Sequence, residues 1–155
     1  MTRKTFGLIL TICLLSAGAC FADPHKGTWK LDPGKSKLGK GSERNNVVNY
    51  EYEFPGLRTK CLIDGVDGRG HSFHSVWEGR FDGKDYPVSG DPSSDSRSYT
   101  KVNDNTADFT VKKAGKVVAT GRIVVAADQK TRTVTSWSTG PNGKKVKTVA
   151  FYNKE

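Results

Sequence analysis

The chain has 155 residues, with 25 Lys and Arg against 16 Asp and Glu, a formal charge of +9 and 35% hydrophobic residues. That length suits one domain with one core and is short for two. Three cysteines in all exclude a disulfide-dense scaffold, and the charge makes an anionic partner the natural one to look for.

Arg3 and Lys4 make a positive start, and Phe6 to Leu15 form an uncharged apolar run. Ala17-Gly18-Ala19 and Cys20-Phe21-Ala22 offer two small-residue cleavage sites. This is the pattern of a secretory leader over 1–22, which predicts a periplasmic or secreted product and a mature domain over 23–155. The apolar run is about half the roughly twenty residues that cross a bilayer core. Ala17-Gly18-Ala19-Cys20 is also similar to a loose lipobox without its usual leucine. Membrane anchoring is expected only if Cys20 is acylated. Once the leader is gone Cys61 stands alone, reads as a small buried apolar residue, and cannot form an internal disulfide.

From residue 27 on, apolar and polar residues alternate in short runs separated by turn residues, with no long stretch of helical periodicity. Strands are predicted near 27–31, 46–54, 58–64, 71–81, 96–102, 106–113, 116–126, 131–139 and 145–153. Asp82-Gly83, Asn103-Asp104-Asn105, Ala114-Gly115, Asp128-Gln129 and Asn142-Gly143 punctuate them. Val48, Tyr50, Tyr52 and Phe54 face inward on this pattern, against Asn49, Glu51 and Glu53. Phe73, Ser75, Trp77 and Phe81, then Ala107, Phe109 and Val111, do the same on their strands. Residues 32–44 and 89–98 are predicted surface loops. The fold class is all-β: a single antiparallel up-and-down barrel of about eight to ten strands, since closure removes exposed edges.

Three stretches carry a family resemblance: Gly27-Thr28-Trp29-Lys30-Leu31 with Lys35-Ser36-Lys37, residues 81–92 (FDGKDYPVSGDP), and Lys147-Thr148-Val149-Ala150-Phe151-Tyr152. On these the chain resembles small secreted bacterial lipocalin-like proteins, mostly of unassigned activity. The resemblance implies a barrel whose closed end is plugged by Trp29. It does not extend to the helix and disulfide usual in lipocalins proper, or to the Arg-x-Tyr of fatty-acid-binding proteins, since Ala150 precedes Tyr152 by two places.

An eight-stranded barrel is either filled by side chains or holds one small ligand. Tyr50, Tyr52, Trp77, Phe109 and Tyr152 are the candidate ligand-binding residues, with tyrosine hydroxyls as anchors. Smaller groups follow on the later strands: Ala119 and Gly121, then either Thr133, Thr135 and Trp137 or Val134, Ser136 and Ser138, then Thr148 and Ala150. A core packed shut is the alternative.

Removing Arg3 and Lys4 lowers the formal charge from +9 to +7. Lys112, Lys113, Lys116, Lys144 and Lys145 are the candidate surface-docking residues, with Lys147 following the last pair and Lys35, Lys37 and Lys40 sharing another loop. They form a basic rim if their loops share one end of the barrel. Nucleic acid is not expected, because the aromatics read as core rather than as an exposed stacking platform.

Gly34 to Gly41 fits the spacing of a phosphate loop through its lysine, then has Gly41 where Ser or Thr should be, with no helix to follow. His71 and His74 point to opposite faces of a strand, so no metal site is expected. Asp82 with Asp85, and Asp91 with Asp95, sit where turns favour Asp. No catalytic residue or cofactor is assigned. The expected function is a non-catalytic extracytoplasmic binding protein for a small apolar or amphipathic ligand. The alternative is a closed-core module docking on an anionic envelope surface, polysaccharide or protein.

Overall fold

The computed structural model describes residues 23–39, 41–53, 58–140 and 143–155. The leader with Cys20, and Lys40, Phe54 and Asn142, lie outside the described residues. Among the described residues there are ten strands: β1 Gly27–Leu31, β2 Arg44–Tyr52, β3 Thr59–Val66, β4 Ser72–Gly79, β5 Tyr86–Ser89, β6 Ser96–Asn103, β7 Thr106–Lys113, β8 Lys116–Val125, β9 Thr131–Thr139 and β10 Lys145–Lys154. Each pairs antiparallel with its sequence neighbour, and β1 also pairs with β10, so the sheet closes into an up-and-down barrel.

The predicted alternation sets the faces. Val48 and Tyr50 are buried while Glu51 is exposed, and Ser75 and Trp77 are buried while His74 is exposed. Across β2, β3 and β4 the inward residues Tyr50, Cys61 and Trp77 stand in register. All nine predicted strands occur. The tenth, β5, falls inside a stretch whose alternation is too short to read. It has four residues, one of them Pro87, which has no N–H for a ladder, and it makes only two paired positions on each side.

Glycine opposite an aromatic ring recurs on the inner face. A Cβ at Gly65 would lie 2.5 Å from Phe73 Cζ, and one at Gly79 2.5 Å from Trp77 Cζ2. A Cβ at Gly121 would fall on the Phe109 ring and the Thr135 carbonyl. These rings lie flat across neighbouring backbone, a device that lets strands coil tightly enough to close.

Alternating strand direction sorts the connections between two ends. One end is plugged by the N-terminal turn, in which Lys26 N–H donates to the Asp23 carbonyl at 3.0 Å and His25 N–H to Asp23 Oδ1 at 2.9 Å. The turn buries His25, whose carbonyl accepts the Trp29 Nε1–H at 2.9 Å; Trp29 itself is wholly buried. Beside this plug Trp77, Phe81, Tyr86 and Tyr99 form an aromatic cluster, with the Trp77 and Tyr99 centroids 4.7 Å apart.

The two predicted surface loops at the other end are tied to the barrel. Residues 36–38 pack against β10 and the core: Lys37 N–H donates to the Val149 carbonyl at 2.7 Å, Ser36 Oγ accepts the Phe151 N–H at 2.9 Å, and Leu38 packs on the core. In residues 90–95, Asp91 and Ser94 are buried, against the surface-loop expectation. The reason is Arg97, which enters the barrel and needs a carboxylate beside it.

Candidate functional site

The aromatic cluster fills the side of the barrel built by β4 to β6, and small residues face it from β8 to β10. The space between is a cavity of about 360 Å³, within the range of small-molecule sites. Tyr50, Tyr99, Arg132 and Tyr152 line its inner part. Ile63, Phe109, Ala119, Ile123, Val134 and Ala150 form apolar walls, and Leu38, Ser42, Glu43, Ser93 and Thr139 lie toward the mouth. Ser136 Oγ and Thr148 Oγ1 meet at 2.5 Å on one wall, leaving a hydroxyl pair among apolar neighbours. The two choices left open for β9 are therefore decided: Val134, Ser136 and Ser138 line the cavity, and Trp137 is 40% exposed outside.

Of the candidate ligand residues, Tyr50, Phe109 and Tyr152 line the cavity, whereas Tyr52 and Trp77 do not. Trp77 packs edge-on against Tyr99 and donates its Nε1–H to the Arg97 carbonyl at 3.1 Å, so the side chains of Arg97 and Tyr99 hold the interior there. Tyr52 ends β2 at the plugged end. Burial and the neighbouring Asp23 raise its hydroxyl's pKa.

Two arginines that the sequence did not single out face the cavity. Arg97 is 5% exposed and bonds through Nη2 to Asp91 Oδ2. Asp91 also accepts the Ser93 N–H at 2.7 Å, the Ser94 N–H at 3.1 Å and the Ser94 hydroxyl at 2.5 Å. Burial opposes ionisation of both groups; at Asp91 the Arg97 charge together with the Ser93 and Ser94 hydrogen bonds more than offsets it, and the Asp91 carboxylate helps keep Arg97 charged. At the mouth burial raises the Glu43 carboxyl, with Asp91 adding to the effect.

Arg132 is 2% exposed, with its guanidinium 4.7 Å from the Tyr152 ring centroid, 4.9 Å from Trp29 and 5.3 Å from Tyr50. Its Nε and Nη1 are buried and, among the described residues, meet no hydrogen-bond acceptor. The tyrosine hydroxyls here stay protonated: burial pushes Tyr152 up to about 12 and raises Tyr50 and Tyr99. Tyr152 donates to the Asn45 carbonyl at 3.0 Å. Burial likewise pushes the Cys61 thiol up to about 11, which keeps it in its unreactive form.

The ends of the strands that carry Lys113, Lys116 and Lys145, and the described parts of the β1–β2 and β9–β10 connections with Lys35, Lys37 and Lys144, all lie at the mouth end, as the strand order requires. Lys113 and Lys116 flank a two-residue turn in which Ala114 and Gly115 both take positive φ, 49° and 73°, the geometry of a tight hairpin. Lys144 and Lys145 are exposed on the neighbouring hairpin. Lys112 differs from its rim companions: its ammonium pairs with Asp85 at 2.5 Å across β6. Lys147 lies 5.7 Å from the Trp137 ring, on the outer wall. His71 and His74 each contact their own aspartate, Asp67 at 3.3 Å and Asp64 at 2.7 Å.

The arrangement defines a small closed antiparallel β-barrel with an internal cavity open toward a basic end. No protein-family model matches the chain, and no curated protein matches it. Among solved structures it is similar to EF1p2_mFAP2b bound to DFHBI, at 10% identity and TM-score 0.49, over 85% of this chain and 94% of that one. It is also similar to a redesigned β-barrel, mFAP1, bound to DFHBI, at 15% identity and TM-score 0.44, over 85% of this chain and 95% of that one. At such identities the barrel assignment rests on the strand pairing itself.

Proposed function

We propose that the protein is a non-catalytic, extracytoplasmic carrier that holds one small amphipathic molecule inside the barrel. The observation that supports this most is the cavity of about 360 Å³, apolar along its walls and polar at Arg132, Tyr152 and the Ser136–Thr148 pair. A barrel that needed only to fold would pack that volume, since empty space forfeits dispersion contacts. Export rests on the leader pattern of residues 1–22, and a mature N-terminus at Asp23 in protein recovered from the periplasm or medium is the expected result.

The test uses a neutral apolar fluorophore, N-phenyl-1-naphthylamine. Fluorescence titration should show saturable binding to the mature chain, and Ser136→Trp, which projects an indole into the cavity, should weaken it by about tenfold or more. Unchanged affinity in a folded Ser136→Trp protein would count against the carrier reading.

A second reading is favoured by the placement of Lys113, Lys116, Lys144 and Lys145 at one end: docking of the mouth on an anionic envelope surface. Each cation near such a surface adds about 1 kcal/mol, and salt screens it. Cosedimentation with phosphatidylglycerol vesicles, absent with phosphatidylcholine and lost on changing these four lysines to Gln, is the expected result.

A further inference from the structure

We propose that the ligand of this cavity is an anionic amphiphile whose acidic head group, a carboxylate or a phosphate, pairs with Arg132 at the inner end while its apolar tail extends toward the mouth. The proposal rests on the carrier reading and names the chemistry that reading leaves open.

The charges on the cavity wall do not balance from within. Among the described residues four ionisable groups other than tyrosines line it: Glu43, Arg44, Arg97 and Arg132, of which Arg44 is exposed to solvent at the mouth. Arg97 is answered by Asp91, itself buried and held by Ser93 and Ser94. Glu43 lies at the mouth beside Ser93, on the Asp91 side. Arg132 has no carboxylate within ion-pair distance among the described residues, although it is as buried as the paired arginine.

What surrounds Arg132 is aromatic. The faces of Trp29, Tyr50 and Tyr152 attract the cation, but a ring face is not an acceptor for the in-plane N–H groups, and Nε and Nη1 stay unpartnered. His25 and Lys154 near the plug cannot supply the missing negative charge: one is held neutral by burial, and the other is a cation 5.0 Å from the opposite partner of the stack, Trp29. Nε and Nη1 lie on different edges of the guanidinium, and each offers a charge-assisted donor to an oxygen of a carboxylate or phosphate. Beyond it Ile123, Val134 and Ala150 continue the wall in apolar atoms, which suits an alkyl chain and not a second charge. The lysines at the mouth then favour approach of an anion.

Isothermal titration of the delipidated mature chain with decanoate, decyl phosphate and decan-1-ol tests this. One or both acids should bind about tenfold or more tightly than the alcohol, and whichever acid is tighter separates the carboxylate source from the phosphate source. Arg132→Gln, checked for folding by circular dichroism, should abolish the acid preference while the alcohol's affinity stays within about threefold. Lys113→Gln with Lys116→Gln should leave the preference in place. An alcohol that binds the unaltered chain as tightly as the acids overturns the head-group assignment and spares the carrier reading, whether or not Arg132→Gln folds. An acid preference that survives in folded Arg132→Gln, or disappears in the lysine variant, also overturns it. Binding of none of the three amphiphiles overturns both readings.

Discussion

Arg97 reaches back from β6 to clasp Asp91 inside the barrel wall, so the loop between β5 and β6 hangs on a buried ion pair. Asp91 keeps its backbone turn by accepting the Ser93 and Ser94 N–H groups, and it adds the charge that Arg97 requires. Removing one partner of such a pair leaves an uncompensated buried ion. Asp91→Asn should therefore lower unfolding free energy by about 3–5 kcal/mol in urea denaturation. Asp91→Asn combined with Arg97→Met should recover much of that loss. A neutral effect of Asp91→Asn would mean that water, not Asp91, satisfies Arg97.

Stability should depend on pH through His25. Burial lowers its imidazole from 6.5 to about 4, with Asp23 opposing and Arg132 assisting. Between those values the unfolded chain binds the proton and the folded chain does not. The contribution is thus complete above about pH 6.5, declines as pH falls, and is lost near pH 4, on the order of 3 kcal/mol in all. Glu43, raised from 4.5, acts in the opposite sense, and Asp91, lowered from 3.8, adds to the loss only below 3.8. His25→Phe should flatten the melting temperature between pH 6.5 and 4.5. An equally steep decline in that variant would place the proton elsewhere.

Trp77 is a packing residue, and its substitutions should separate stability from binding. Trp77→Ala removes a side chain that is 1% exposed and should cost about 3–5 kcal/mol. Trp77→Phe keeps an aromatic edge against Tyr99 and should hold the affinity for N-phenyl-1-naphthylamine within about threefold while lowering stability. A large loss of affinity in folded Trp77→Phe would return this residue to the ligand site.

Gly121 carries the Phe109 ring on its backbone. Gly121→Ala should cost about 1–3 kcal/mol by overpacking and push the ring into the cavity, weakening ligand binding together with stability. Thermal melts and the fluorophore titration on one preparation check both effects. Unchanged values would show that β8 and β9 yield easily at this point.

Much of the barrel was legible along the chain. Val48 and Tyr50 against Glu51, or Ser75 and Trp77 against His74, announce a period of two, and paired turn residues mark where each strand reverses. β5 escaped because Tyr86 and Val88 are only one repeat of the alternation and Pro87 argues against a strand. Tyr50, Phe109 and Tyr152 could be read as inward-facing for the same reason that Trp77 could, since alternation reports a face and not a depth. Arg97 was hidden where the predicted loop 89–98 overlaps the start of the predicted strand 96–102. Arg132 lies on a strand whose two faces, Val134 with Ser136 and Thr135 with Trp137, look equally inward.

The sequence by itself determined nine of the ten strands, their order and, outside β9, the side of the sheet their inward residues take, because these follow from neighbours two to a few positions apart. Only the tertiary structure decided that the ends close and that Trp29 of β1, Tyr50 of β2, Arg132 of β9 and Tyr152 of β10 converge. They meet because β1 hydrogen-bonds to both β2 and β10. Closure bends the sheet until inward residues from strands far apart in the chain share one volume, and a cavity with an unanswered charge exists only there.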